Sequence, residues 1–393
     1  MIKGFIDHWC PTLAQNATWW KAPYETVRED LMYIVDNIMF DNFTFYTKWY
    51  TNGIYSRLGF LQNHLEASNV KTHNDWGRSI IELLHDNGKS VGFMLQLLSF
   101  EQKPWGSEAV VSMEADCMFD ISFVAPVSEP CVFADFTEEL YQQRVLDIIK
   151  EHLTEFPEVD YLFLEFEGYI VNRKLSRYLC EKLGMADPVT YSAETLEHCY
   201  EVMFDIDHSW SNSFQEISKN YIGSLFQRIE GLLRQLEFHG TVGVVFYGYG
   251  YETRYIPNLL PNSDWWLLPW DYPDRETTDY KLYTGGKRFV IPWEDNTKTV
   301  NDVCNKRVYS LKRNMIEWAR QGRKVCYIGN GTIKSGTSDI TEDLFKLSEQ
   351  LGYEGYLCMG NPLCPGGLRW TDISDSDVQE AARLYKKLYG GVL

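Results

Sequence analysis

Short apolar segments, each about the length of one strand, recur along the chain, and segments with helical spacing separate most of them. The strand candidates are "IKGFID" (2–7), "NFTFYTKW" (42–49), "SVGFMLQLL" (90–98), "DYLFLEFE" (160–167), "TVGVVFYG" (241–248), "DWWLLPWD" (264–271), "RFVIPWED" (288–295), "KVCYIGN" (324–330) and "EGYLCMGN" (354–361). Helical patterns fall at about 23–39, 74–87, 138–155, 213–238, 307–321 and 341–351. Glycine follows the last two, in "RQGRK" and "QLGYEG", as a helix stop signal. Alternating strands and helices imply parallel pairing with right-handed crossovers. The expected fold is α/β, a (β/α)8 TIM-type barrel. Nine candidates are one too many for eight strands, and the gap from 271 to 288 is short for a helix. Either one candidate lies outside the barrel or one connection lacks a helix. An open doubly wound sheet is the alternative, but the first strand runs into Asp7-His8-Trp9 and not into a glycine-rich turn.

The 393 residues, 45% hydrophobic, suffice for a single barrel domain over 1–393. Between the third and fourth strands lies an insertion at about 99–137, whose "EAVVSMEA", "MFDISFVA" and "PCVFADFT" read as a β-hairpin or small sheet near the barrel mouth. A net charge of −18 disfavours nucleic acid and anionic membranes, which need clustered Lys and Arg. Many of the 13 Trp and 25 Tyr must be core, and the excess suits a site that uses flat apolar faces, as sugar and aromatic ligands do. Nine cysteines without a CxxC pair, and a start "MIKGFIDHWC" without signal-peptide regions, predict reduced thiols and a cytoplasmic protein. No apolar run approaches the ~20 residues that span a bilayer.

In such barrels the active site lies at the C-terminal ends of the strands. Standing there are Asp7, His8 and Trp9; Lys48 and Trp49; Gln96; Glu165 and Glu167; Tyr247 and Tyr249; Trp270 and Asp271; Trp293, Glu294 and Asp295; Asn330; and Asn361. The rim is one of carboxylates, amides and aromatics. The eight histidines form no HxH or HxxxH pair, so a hydrolytic zinc site is disfavoured, while an all-carboxylate Mg²⁺ site stays open. No GxSxG elbow is present.

Two glutamates close the strand "DYLFLEFEG" (160–168), which otherwise reads as core. Alternation puts Tyr161, Phe163, Glu165 and Glu167 on one face and Leu162, Leu164 and Phe166 on the other. The apolar set suits the helix layer, so the acids point into the barrel and its mouth. Two acids about 7 Å apart in a low-dielectric pocket tend to separate their pKa values, which suits general acid work. The alternative is structural: one Glu pairs with a buried cation such as Lys48. A second feature is the echo of "LPWD" (268–271) and "IPWE" (291–294), where Pro, Trp and an acid end two neighbouring candidates. This places a Trp platform for a pyranose ring beside a carboxylate twice, or it is coincidence in a Trp-rich chain.

"KGFIDHWCP", followed by a helix and "NFTFYTKWY", resembles the opening of barrel glycoside hydrolases such as the family 20 hexosaminidases. "FADFTEELYQQRVLDIIKEHLTEFPEVDYLFLEFEG" looks like the segment in many barrel glycosidases where a helix precedes strand four and a catalytic carboxylate closes it. That resemblance implies Glu165 as the catalytic acid. The hexosaminidase signature His-x-Gly-Gly-Asp-Glu is absent, and Phe163-Leu164-Glu165-Phe166-Glu167 stands in its place. Barrel α-glucuronidases are a second similar group by architecture.

The residues together predict a glycoside hydrolase with paired carboxylates, no metal and no cofactor, acting on a carbohydrate. Glu165 and Glu294 form the expected pair, with Asp271 and Glu167 in reserve. Trp9, Trp270 and Trp293 are the expected ring platforms, Asp7 binds a hydroxyl, and His8, Lys48, Trp49, Tyr247 and Asn361 complete the substrate set. A carbohydrate-binding barrel without catalysis and a metal-dependent sugar isomerase or lyase are the alternatives. Because no ligand-spaced histidine cluster exists, glycoside turnover is expected to survive prolonged EDTA dialysis. Stoichiometric metal, with turnover restored only on adding it back, would shift the reading to the isomerase or lyase.

Overall fold

In the computed structural model the described residues are 1–8, 24–37, 39–49, 52–53, 71–97, 99–101, 118–120, 131–134, 139–166, 216, 219–247, 256–270, 311–330 and 338–359. Eight parallel strands close on themselves: β1 (Ile2–His8), β2 (Asn42–Trp49), β3 (Ser90–Gln96), β4 (Tyr161–Glu165), β5 (Thr241–Tyr247), β6 (Trp266–Trp270), β7 (Cys326–Asn330) and β8 (Gly355–Met359). Each pairs with the next, and β1 pairs with both β2 and β8. The fold is a (β/α)8 barrel. Around it run α1 (Tyr24–Asn37), α2 (Lys71–Asp86), α3 (Glu139–Glu155), α4 (Ser224–Gln235, entered through a π-helical turn, Lys219–Gly223), α5 (311–320) and α6 (Ser338–Gln350).

The surplus among nine strand candidates is resolved at β6. This strand pairs with β5 on one side and directly with β7 on the other, so 288–295 does not come between them. Residues 288–295, with the "IPWE" ending, and Asp271 of "LPWD" lie outside the described residues. Between β5 and β6 the described residues hold only a single 3₁₀ turn at 256–258. Ile256, Leu259, Leu260 and Trp265 are buried there. Glu230 of α4 secures this segment, accepting hydrogen bonds from Trp265 Nε1 at 2.7 Å and Asn262 Nδ2 at 3.2 Å.

The helices form because their apolar residues recur at three- and four-residue spacing and cover the outer face of the strands. In α3 these are Val145, Ile148, Ile149 and Leu153; in α5, Leu311, Met315 and Trp318. Outward strand residues meet them ring to ring: Phe93 with Phe156 at 5.4 Å, Phe246 with Trp318 at 5.6 Å, and Phe345 of α6 stacked on Tyr356 at 4.3 Å. Gly88, Gly322 and Gly352 turn the chain from a helix into the next strand at φ of 68°, 65° and 70°. After α4 the same left-handed position is held by Glu237, at φ 52°.

Inside the barrel, tilt of the strands brings residues from alternate strands to one height. The registers define successive layers. Asn42, Tyr161, Trp266 and Gly355 are deepest; Gly4, Gly92, Gly243 and Cys326 come next; then Thr44, Phe163, Leu268 and Leu357. The second layer is small because its neighbours are large. A methyl group built on Gly92 would lie 2.6 Å from Thr44 Oγ1, and one on Gly243 would meet Phe163, Trp266 and Leu268. Over this gap the Tyr161 and Trp266 rings touch, their centroids 5.6 Å apart. A polar chain lies beside them: Thr44 Oγ1 donates to Asn42 Oδ1 at 2.7 Å, and Asn42 Nδ2 donates to Ser90 Oγ at 3.2 Å. Burial pushes the Tyr161 hydroxyl above its ordinary pKa, against the opposing pull of a hydrogen bond with Ser90.

Three short strands between β3 and β4, Ser99–Glu101, Met118–Asp120 and Cys131–Ala134, form a separate antiparallel sheet with Cys131–Ala134 in the middle. Among the described residues no helix is long and apolar enough to cross a membrane.

Gly243→Ala is expected to cost about 1–3 kcal/mol by overpacking the interior. Gly352→Ala, which meets open space, should cost about 1–2 kcal/mol from left-handed backbone strain alone. Urea titrations measure both; a Gly243→Ala protein of wild-type stability would contradict the layer packing.

Candidate active site at the C-terminal end of the barrel

Above the three lower layers lies an apolar floor. Ile6, Met94, Val245 and Ile328 share one height and are each at most 1% exposed. The next layer up is formed by positions Tyr46, Glu165, Trp270 and Met359, and the one above by His8, Gln96, Tyr247 and Asn330. The interior thus changes from apolar to polar within one layer, at the end of the barrel where the strands finish.

Glu165 stands at that boundary. It is the last residue of β4, and its exposure is 0%; among the described residues it is the one fully buried acid. The alternation expected for β4 is observed. Tyr161 touches Phe163, 5.6 Å between centroids, and reaches Trp266 on β6, so this face is the barrel interior that Glu165 shares. Phe166, on the other face, packs edge-on against Phe226 of α4 at 5.0 Å. The backbone at Glu165 is held from both sides. Leu97 N–H donates to the Glu165 carbonyl at 3.2 Å, and Phe166 N–H donates to the Val245 carbonyl at 2.9 Å.

At the opposite end of β4, Asp160 anchors the strand. Its Oδ2 accepts from Val91 N–H at 2.8 Å and lies 2.9 Å from His85 Nε2. The acid that opens this strand is therefore structural, while the acid that closes it is buried over the apolar floor.

Trp270 occupies the same layer as Glu165, two strands along, and is 3% exposed. It ends β6, one residue after Pro269. Leu267 N–H donates to the Lys324 carbonyl at 2.9 Å. Proline has no N–H to continue that ladder at position 269, so β6 and β7 meet only at Leu267–Val325 and Trp270–Ile328.

Of the other residues singled out in the sequence, Asp7 and His8 end β1, Lys48 and Trp49 end β2, and Tyr247 ends β5. Within β1, His8 continues the interior series of Gly4 and Ile6; Asp7 holds the alternate position, paired with Phe45. Lys48 follows an irregularity in the β2–β3 register. Trp9, Glu167, Asp271, Trp293, Glu294 and Asn361 lie outside the described residues. The floor and the glycine layer were not legible beforehand, because each draws one residue from each of four strands distant in sequence. The signal that could have exposed the glycine layer is Gly4, Gly92 and Gly243, each near the start of a strand candidate.

Among the described residues no three or more His, Cys, Asp or Glu side chains are grouped to hold a metal ion. The arrangement can place a carboxyl and an aromatic ring against a ligand that enters from the strand ends.

No protein-family model and no curated protein matches the chain. Among solved structures it is similar to a cold-adapted β-galactosidase from Rahnella sp. R3, with TM-score 0.53 and 12% identity over 99% of this chain and 56% of that one. A GH5-4 broad-specificity endoglucanase from an uncultured bacterium aligns with TM-score 0.47 and 12% identity, over 100% of this chain and 94% of that one. An α-galactosidase from Thermus thermophilus, in complex with p-nitrophenyl α-D-galactopyranoside, gives TM-score 0.45 and 10% identity over 98% and 62%. The chain spans less than two thirds of either galactosidase. The likeness to the β-galactosidase, at 12% identity, shows the fold alone.

Burial of Glu165 generates a stability test. Glu165→Met, close in volume, keeps the interior filled and is expected to leave the chain folded, losing the carboxyl's own interactions together with its desolvation cost. A loss of about 3 kcal/mol or more in urea unfolding would identify Glu165 as the structural partner of a buried cation.

Proposed function

We propose that the chain is a glycoside hydrolase working with two carboxylates and without a metal. The observation that carries this reading is the burial of Glu165 over an apolar floor at the strand ends, in one layer with Trp270. A carboxyl out of water holds its proton more readily, which suits a general acid. In this reading Glu165 protonates the glycosidic oxygen as the bond to the anomeric carbon breaks. A second carboxylate on the opposite side of the ring either attacks that carbon or takes a proton from the attacking water. Trp270 supplies an apolar face for the sugar ring.

For the second carboxylate, Glu294 is the leading candidate, with Asp271 and Glu167 as reserves. Separation decides the stereochemistry: about 5–5.5 Å predicts retention through a covalent intermediate, and about 6.5–9.5 Å predicts inversion through a bound water. Asp7, His8, Trp9, Lys48, Trp49, Tyr247, Trp293 and Asn361 are the proposed substrate contacts.

A panel of chromogenic α- and β-glycosides tests the assignment. Turnover of at least one substrate is expected, and Glu165→Gln should lower kcat by about a hundredfold or more while sugar binding persists. Near-normal turnover in Glu165→Gln would remove Glu165 from the mechanism. Sugar binding without hydrolysis of any glycoside would make the protein a binding module.

A further inference from the structure

We propose that the β6–β7 seam is a gate built into the barrel: it opens at the mouth end, beside Pro269, and the lip that moves carries Glu165 and Trp270 together. The device goes beyond the glycosidase reading and stands whether or not a glycoside is turned over.

Proline cannot donate to a ladder, so within sheets it belongs at an edge strand, at the first residue of a strand or at a bulge. Pro269 is none of these. It is buried as the fourth residue of β6, a strand paired on both sides. No bulge absorbs it, because the pairs Leu267–Val325 and Trp270–Ile328 share one register. Backbone groups along a strand turn alternately to its two neighbours. Leu267 N–H turns to β7, donating to the Lys324 carbonyl at 2.9 Å, so position 269 turns there as well. Two residues on from Lys324, the carbonyl of buried Cys326 therefore faces a nitrogen that carries no hydrogen.

The neighbouring seams are continuous. Trp266–Trp270 pairs residue for residue with Gly243–Tyr247, Tyr161–Glu165 with Thr241–Val245, and Cys326–Asn330 with Gly355–Met359. The β2–β3 ladder has its own irregularity after Tyr46, but pairing resumes at Lys48–Leu95. Strands β4, β5 and β6 thus form one unbroken sheet, with Glu165 and Trp270 at its mouth end. Strands β7 and β8, ending in Asn330 and Met359, form the facing lip.

The seam is held at its lower end. There Leu267 N–H bonds to Lys324, and Lys324 Nζ reaches Asp264 Oδ1 at 2.8 Å, just before β6. Above Pro269 the described pairing is Trp270–Ile328 alone. A seam tied below and interrupted above opens as a wedge, widest where a ligand enters. Such opening leaves Glu165 and Trp270 in fixed relation, since both belong to one lip. Local opening of this kind costs less free energy than global unfolding.

Amide hydrogen exchange, read residue by residue on the full chain without ligand, tests the gate. By the same alternation Ile328 N–H faces β6 and Trp270 N–H faces β5. Phe166 N–H donates to the Val245 carbonyl at 2.9 Å and reports the unbroken sheet at the same end. Ile328 is expected to exchange about fivefold or more faster than Trp270 and Phe166, the scale of one missing hydrogen bond. Pro269→Val restores a donor at the seam and should slow Ile328 by about the same factor, with a smaller change at Phe166. Should the valine variant fail to fold, Pro269→Ala, which also restores the donor, decides. Two results overturn the proposal: an Ile328 amide as well protected in wild type as Trp270 and Phe166, or an Ile328 rate that the folded variant slows by less than about twofold.

Discussion

Closure of the sheet through β1 is the constraint on which the structure depends. β1 pairs with β8 from Ile2 to Ile6 and with β2 from Gly4 to His8, so the barrel has no open edge between its first and last strands. Backbone bonds continue the closure around the lower rim. Ile2 N–H donates to the Glu354 carbonyl at 2.7 Å, Asp41 N–H to Lys3 at 2.7 Å, Asp160 N–H to Val91 at 2.8 Å, and Thr241 N–H to Asp160 at 2.8 Å. A closed ring requires tilted strands, and tilt in turn sets which residues share a layer. The floor beneath Glu165 and the pairing of Glu165 with Trp270 in one layer both follow from closure, not from any local preference.

The two ends of the barrel use the interior differently. The lower half is filled by alternating a layer of three glycines and Cys326 with layers of large residues, a jigsaw that leaves no slack. Its polar groups, Asn42, Thr44 and Ser90, bond to one another. Burial raises the pKa of Tyr161 and Cys326, which keeps both neutral at ordinary pH. The upper half places an acid and a ring of amide, imidazole and phenol positions over an apolar floor. Rigid packing below is what allows a costly buried carboxyl to hold its place above. The β6–β7 seam, thinned by Pro269, is the one described interface of the ring in which the ladder is interrupted in this way, and it lies beside Trp270.

Alternation within β4 was legible from "DYLFLEFEG", because the apolar positions Leu162, Leu164 and Phe166 can face only a helix layer. The glycine stops after α5 and α6 were legible for a similar reason: only glycine adopts φ near 65–70° without strain. The order of β6 and β7 was not. "RFVIPWED" has the apolar content of a strand, and composition does not say which neighbour supplies its hydrogen bonds. The corner before β6 was equally hidden, since the burial of Ile256, Leu259 and Leu260 and the Trp265–Glu230 hydrogen bond join segments distant in the chain.

By itself the sequence determined the alternation of strand and helix, nine strand candidates that include the eight of the barrel, and the acid at the end of β4, because periodicity, glycine stops and an acid after an apolar run act over a few neighbouring residues. Only the tertiary structure decided the register: that Gln96 adjoins Glu165, that Glu165 shares a layer with Trp270, and that Gly4, Gly92 and Gly243 meet at one height. The physical reason is that register is set by hydrogen bonding and side-chain volume among strands far apart in the chain, where a slip of one residue would turn every side chain to the other face.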